Sequence, residues 1–250
     1  MERIKRFKLW PIIVWLIIWE AASIIIGEKI LIASPFDTLS TLWSLLKTSS
    51  LYIAITTSLS HVLIGFLIAL ILGFILGVEA FYHKHLKELI DPFMAVIKSI
   101  PVASFIILVL IMVSADHLSI IIAFLMVLPL VYENVYKGLN ETKKDLIEVS
   151  EVYELDLKKR FRYIYLESVY PYLDNACHLG LSYAFKAGIA AEVIGLPDNS
   201  IGENLYEAKI YLATSELFAW TFIIIVVSAL CTKIVSCLYD KAITYLRSGV

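Results

Sequence analysis

Leu51 to Val78 reads LYIAITTSLSHVLIGFLIALILGFILGV, twenty-eight residues without an Asp, Glu, Lys or Arg. As an α-helix rising 1.5 Å per residue the stretch is about 42 Å long, more than enough to cross a hydrocarbon layer of about 30 Å. A segment of this length and apolarity has no place on a water-soluble surface, so the bilayer is the solvent that decides the fold. Five further stretches share its character: Trp10 to Ile26, Pro92 to Val113, Leu118 to Val135, Tyr172 to Ile194 and Leu217 to Leu238. Apolar residues make up 60% of the 250-residue chain and its mean hydropathy is +0.81, whereas a soluble domain is roughly half apolar. In lipid every backbone polar group must be satisfied within the element itself, so six apolar runs predict six transmembrane helices and an all-α membrane protein. A single transmembrane domain over residues 1–250 is the expected organisation.

The net charge of −2 is uninformative, because orientation follows the placement of Lys and Arg. Six spans put both termini on one side. Fifteen basic residues fall on that side, in the arm carrying Arg3, Lys5, Arg6 and Lys8, at Lys84 and Lys87, between Lys137 and Arg162, and in the tail. The other side holds three, Lys29, Lys47 and Lys209. This asymmetry predicts cytoplasmic termini in a cell membrane. The basic arm before the first stretch has the flank of a signal peptide, but no small-x-small cleavage motif follows, and the stretch is read as a retained helix. Cys177, Cys231 and Cys237 show no metal-ligand or disulfide spacing and are read as buried free thiols.

The connections are unequal. Stretches three and four are joined by a tight hairpin at Ser114, Ala115 and Asp116, whereas about 137–170 separates stretches four and five without any Gly/Ser linker character. Leu146, Val149, Val152 and Tyr153 recur there at helical spacing, with Glu148, Glu151 and Glu154 at other positions on the helix. Asp156 stands before Leu157 to Phe161, where a short carboxylate caps a second helix. Two readings stand: a knob for a cytoplasmic partner, and an amphipathic hairpin lying on anionic lipid.

At this loop the sequence resembles the inner-membrane components of binding-protein-dependent transport systems, in the branch that includes nitrate, sulfonate, taurine and bicarbonate importers. The family's E-A-A-x-x-x-G pattern corresponds to Glu148, Val149, Ser150 and Glu154, with Glu154 at the glycine place. The resemblance continues through Trp19-Glu20, Ser34-Pro35, Ser58-Leu59, Gly65-Phe66, Asp91-Pro92 and Ile100-Pro101. Its most specific block is Pro171-Tyr172-Leu173, then Gly180 to Lys186, then Ala190 to Gly195. The resemblance implies a type I ABC importer permease bundle, working as a homodimer on two ATPase subunits and receiving solute from an extracytoplasmic binding protein. Glu148, Val149, Ser150, Val152, Tyr153, Glu154 and Asp156 are then the expected coupling residues. ATP and Mg belong to the ATPase, no cofactor is expected in this chain, and lipid but no nucleic acid is an expected partner.

Stretch five carries Ala176, Gly180, Ala184, Gly188 and Glu192 at intervals of four, a ridge that lets another helix approach closely and ends in a carboxylate. Gly180, Ala184 and Gly188 are the expected helix- and dimer-packing positions. Lys186 lies about 120° around the helix from Glu192, so the two do not pair with each other. A charge at membrane depth costs roughly 2.5–3.5 kcal/mol on insertion scales, and such residues face a cavity or a neighbouring helix. For Lys186 the alternatives are the translocation path and a structural pair or outer gate; for Glu192, the gate. Lys98 is read as snorkelling, Glu20 and Glu133 as polar helix contacts, and Gly73-x-x-x-Gly77 as intrachain packing. Pro101 and Pro129 are expected to bend their helices. His61 is read as a hydrogen-bonded packing residue, without a second histidine at ligand spacing.

The chain has no G-x-x-x-x-G-K-[ST], so ATP hydrolysis must come from another polypeptide. Neither G-x-S-x-G nor H-E-x-x-H occurs, which argues against an intramembrane enzyme. The remaining alternative is a stand-alone secondary carrier or channel, which would show inverted repeats and would not need the long inner loop.

Overall fold

In a computed structural model of the protein, residues 9–28 and 30–248 are described. The basic positions Arg3, Lys5, Arg6, Lys8 and Lys29 lie outside the described residues. Among the described residues helix is the sole regular structure: α1 (Leu9–Ile26), α2 (Pro35–Leu45), α3 (Ser49–Tyr82), α4 (Lys84–Ser99), α5 (Val102–Met112), α6 (Ala115–Asn140), α7 (Lys144–Val152) and α8 (Leu157–Arg160). A π-helical turn, Phe161–Tyr165, then runs into α9 (Leu166–Gly195), followed by α10 (Ile201–Ile210) and α11 (Thr214–Ser248).

Five of the six apolar stretches each lie within one helix. Among the described residues three helical segments, α3, α6 and Thr214–Tyr239 of α11, are long and apolar enough to cross a bilayer alone. The third stretch differs from expectation. It is not one bent helix but two, α4 and α5, which meet at 106°. The cause is local: Pro101 disfavours helical geometry at Ile100, whose backbone is extended at φ −80° and ψ 131°. Pro129, by contrast, stays inside a continuous α6.

The core is a layered packing of α3 on α6 and α6 on α9, filled by Val62, Phe66, Val127, Val131, Leu181 and Phe185. Small residues set its spacing. A Cβ on Gly65 would stand 2.3 Å from the carbonyl oxygen of Ile120, so α3 and α6 touch backbone to backbone there. Gly73 and Gly77 continue the contact against Val131 and Val135, which confirms intrachain packing for that pair.

The ridge of α9 is filled in the same way. Gly180 faces Val127 of α6, Gly188 faces Val62 of α3 and Ser119 of α6, and Ala176 and Ala184 are buried. The chain's own α3 and α6 occupy the ridge, so Gly180, Ala184 and Gly188 pack helix against helix within the chain. The loop expected at about 137–170 is also shorter. Helix α6 runs to Asn140, and the π-turn joins α8 to α9 without a gap, so the free-standing part is α7 with its flanking turns. Cys177 and Cys231 are buried free thiols, but Cys237 is exposed.

Candidate functional site

At the end of the bundle where α9 finishes, a buried polar latch ties three elements together. Glu192 is fully buried. The Ser58 hydroxyl of α3 donates to Glu192 Oε2 at 2.6 Å and accepts the Ile201 N–H at 2.9 Å. The Gly202 N–H donates to the same carboxylate oxygen at 3.3 Å. Ser200 caps α10 from outside, its hydroxyl accepting the Glu203 N–H at 3.0 Å. Two backbone amides at the start of α10, which no helical carbonyl can satisfy, are thus held by side chains of α3 and α9. The approach is close: a Cβ on Gly202 would fall 2.3 Å from Cβ of Glu192 and 2.5 Å from Val193 N. Glu192 therefore faces no open path. It positions α10.

The exposed side of α9 has a different chemistry. His178, Tyr183 and Lys186 are exposed along it and Ser182 is half-buried. Lys186 makes no ion pair or hydrogen bond among the described residues, so it is not the internal structural pair allowed by the sequence. Although α9 has 30 residues, it is too polar to count among the self-sufficient spans. Two clefts with mixed polar and apolar linings flank this face. On one side a cleft of about 580 Å³ runs between α9 and α11, lined by His178, Ser182, Ser228, Thr232, Lys233 and Ser236. On the other, Tyr183 borders a cleft of about 230 Å³ against α4, α5 and α6.

At the opposite end of the bundle α7 is anchored by one side only. Ser150 is buried and donates to the Ile147 carbonyl at 2.6 Å, and Ile147 packs on the core. Leu146 and Val149 are exposed, and Val152 and Tyr153 are 81% and 75% exposed. Glu148, Glu154 and Asp156 are exposed as well. The helix stops in a left-handed turn: Glu154 has φ +47°, its N–H bonds to Glu151 O at 3.0 Å, and the Leu155 N–H to Ser150 O at 2.9 Å. These two bonds satisfy carbonyls left free at the end of α7 and reverse the chain. The position that the family fills with glycine thus takes the backbone conformation glycine favours, and Glu154 adopts it at a cost of about 1–2 kcal/mol.

The family model of the binding-protein-dependent transport system inner membrane component matches residues 65–243. The chain belongs to that family. It is a permease subunit of an ABC importer, a multi-pass membrane protein that works with ATPase and substrate-binding partners and is not itself the catalyst. It is similar to the nitrate import permease protein NrtB of Synechococcus elongatus, 26% identical over 82% of this chain and 79% of that protein. The nitrate import permease protein NrtB of Synechocystis is 25% identical over 96% of this chain and 86% of its own length. The bicarbonate transport system permease protein CmpB of Synechocystis is 24% identical over 76% and 65%. The stand-alone carrier reading falls with this membership.

Within the permease, three further side chains singled out in the sequence take defined places. Ser150 is buried, so it supports α7 from beneath and does not belong to its free face. The buried Nδ1 of His61 finds no hydrogen-bond partner among the described residues. The ammonium of Lys98 pairs with Glu133 across α4 and α6, a polar helix contact of the kind expected for Glu133. Both residues were noticed in the sequence, but separately. Thirty-five positions apart, on helices whose relative rotation no local pattern encodes, they carry no signal of their pairing. Ser58 was visible only within the family resemblance, and its bond to Glu192 spans 134 positions.

Proposed function

We propose that the permease moves a small oxyanion along the exposed face of α9, as one of two copies, by alternating access driven by two ATPase subunits. The observation that carries this reading is Lys186, a cation without a partner on a polar stripe of a buried central helix. Lipid does not accept such a face, so water, solute or a second copy must cover it. The relatives are named for import of nitrate and of bicarbonate, both oxyanions, which fits a free cation on the path. The exposed apolar side of α7 (Leu146, Val149, Val152, Tyr153), ringed by Glu148, Glu154 and Asp156, fits an ATPase groove on the cytoplasmic side, where the basic residues also collect. ATP and Mg stay with that partner. On the extracytoplasmic side α10, held by Glu192, is the surface offered to the binding protein and the moving part of the gate.

Replacing Lys186 with Met tests the reading. Uptake of labelled nitrate or bicarbonate per folded complex should fall at least tenfold, while the yield of complex stays as in the wild type because no partner loses its counter-charge. Wild-type uptake in that variant would remove Lys186 from the path.

A further inference from the structure

The sharp break between α4 and α5 opens onto the cleft of about 230 Å³ bordered by Tyr183, and its lining is the most unusual in the bundle. Ile100, Val102 and Pro129 give it apolar walls, and its charged groups are Lys98 and Glu133. The two pair across α4 and α6, yet their side chains remain 50% and 48% exposed. That combination is poor structural economy. A half-exposed ion pair adds only about 0–1 kcal/mol to stability, whereas each charge on a membrane-embedded helix costs roughly 2.5–3.5 kcal/mol to insert.

A second cleft of about 340 Å³ continues from Glu133 towards the α7 end, lined by Lys87, Asp91, Tyr132 and Tyr136. Its charges are internally matched: Lys87 pairs with Asp91, which also accepts the Tyr132 hydroxyl at 2.7 Å, and the Lys87 ammonium lies 5.0 Å from the Tyr136 ring centre. Tyr183, which borders the first cleft, is followed three residues later on α9 by Lys186, a cation without an ion-pair partner among the described residues.

We propose that Lys98 and Glu133 form an exchangeable anion site on the translocation path. The carboxylate of Glu133 holds the Lys98 ammonium when the cleft is empty and yields it to the anionic group of the solute in transit. The cleft, of about 230 Å³, has room for a small solute. Its chemical class is a monovalent oxyanion: nitrate, bicarbonate and a short alkanesulfonate all present a planar or pyramidal set of oxygens to an ammonium. The cleft apposes α4, which leads from the end carrying α7, to α5, which packs on the outer half of α9. A solute that breaks the ion pair therefore acts at the joint between the two ends of the bundle. The inference rests on the reading of this chain as an oxyanion permease and adds the residue that binds the anion.

The test uses the complete complex of permease, ATPase and binding protein in proteoliposomes, with labelled nitrate, bicarbonate and ethanesulfonate as separate probes. Two variants are compared per folded complex: Lys98→Met, and the double variant Lys98→Met with Glu133→Gln. The single change leaves a carboxylate without its partner at membrane depth, so its yield is expected to fall; the double change removes that orphan and restores the yield. If Lys98 binds the anion, uptake of the transported probe stays at least tenfold down in both variants. Recovery of uptake in the double variant, with the wild type moving one of the three anions, would make the pair structural and overturn the site while leaving the oxyanion reading intact. A wild-type complex that moves none of the three anions would overturn the oxyanion reading itself, and the site with it.

Discussion

Ser58→Ala should release α10 from the bundle without unfolding the bundle. The hydroxyl of Ser58 is buried and takes part in two bonds, donating to Glu192 at 2.6 Å and accepting from Ile201 N–H at 2.9 Å. A hydrogen bond contributes about 0.5–1.5 kcal/mol net, and an orphaned buried amide costs about 1–3 kcal/mol. The two are not additive, because Glu192 keeps the Gly202 N–H and the Ile201 amide gains water once α10 lifts. A net loss of about 3 kcal/mol corresponds to roughly a hundredfold rise in the local opening equilibrium of this segment. Alanine fits the site, so packing is not at issue. Amide hydrogen exchange read by mass spectrometry, on the permease in lipid nanodiscs, measures the effect directly. Peptides covering residues 198–212 should exchange about a hundredfold faster, and peptides from the middle of α6 should not change. Protection of 198–212 within threefold of the wild type would refute the claim that Ser58 and Glu192 hold α10. A loss of protection in α6 as well would show that the latch supports the whole bundle.

Gly65→Ala should abolish folded permease, because the added methyl meets a backbone oxygen at 2.3 Å, whereas Gly180→Ala, facing the flexible ends of Val127 and Phe66 at 3.1 and 3.5 Å, should leave a recoverable yield in detergent. Glu154→Gly should stabilise the turn after α7 by about 1 kcal/mol, read as slower proteolysis within residues 150–158, since glycine enters the left-handed region without the side-chain penalty. Changing Val152 and Tyr153 together to Ser should cut ATPase-driven uptake at least tenfold with unchanged folding, because both side chains lie outside the core. Wild-type coupling in that double variant would exclude the exposed side of α7 as the ATPase contact. Gly188→Leu should lower the yield of the single folded chain, since its first side-chain atom already meets Val62 and Ser119 of the same chain at 2.7 and 2.9 Å. A normal yield of monomer with loss of paired permeases would show that α9 meets a second copy after all.

Composition and period were enough to establish the membrane class, the six apolar stretches and the charge asymmetry across them, because each is a property of a local window of sequence. A run such as Val62 to Val78 has one stable solvent whatever surrounds it, and the alternation within Leu146 to Tyr153 exposes an apolar side of α7 wherever that helix is placed. Small residues at intervals of four were equally legible as close-packing ridges. Which helix fills a ridge was not: Gly180, Ala184 and Gly188 look alike whether the partner is α6 of the same chain or α9 of another. The broken third span was half visible, since Pro101 announced a disturbance, but the 106° turn depends on what α4 and α5 each pack against. The polar pairings lay wholly outside the sequence. Ser58 meets Glu192 and Ile201 across 134 and 143 positions, and Lys98 meets Glu133 across 35. Side chains on separate helices meet only when rotation, height and tilt agree, and a rotation of 100° on either helix moves a residue to its neighbour's place. Those three variables are fixed by close contacts such as those at Gly65, Gly188 and Gly202, so only the assembled bundle decides which charges and hydroxyls face one another.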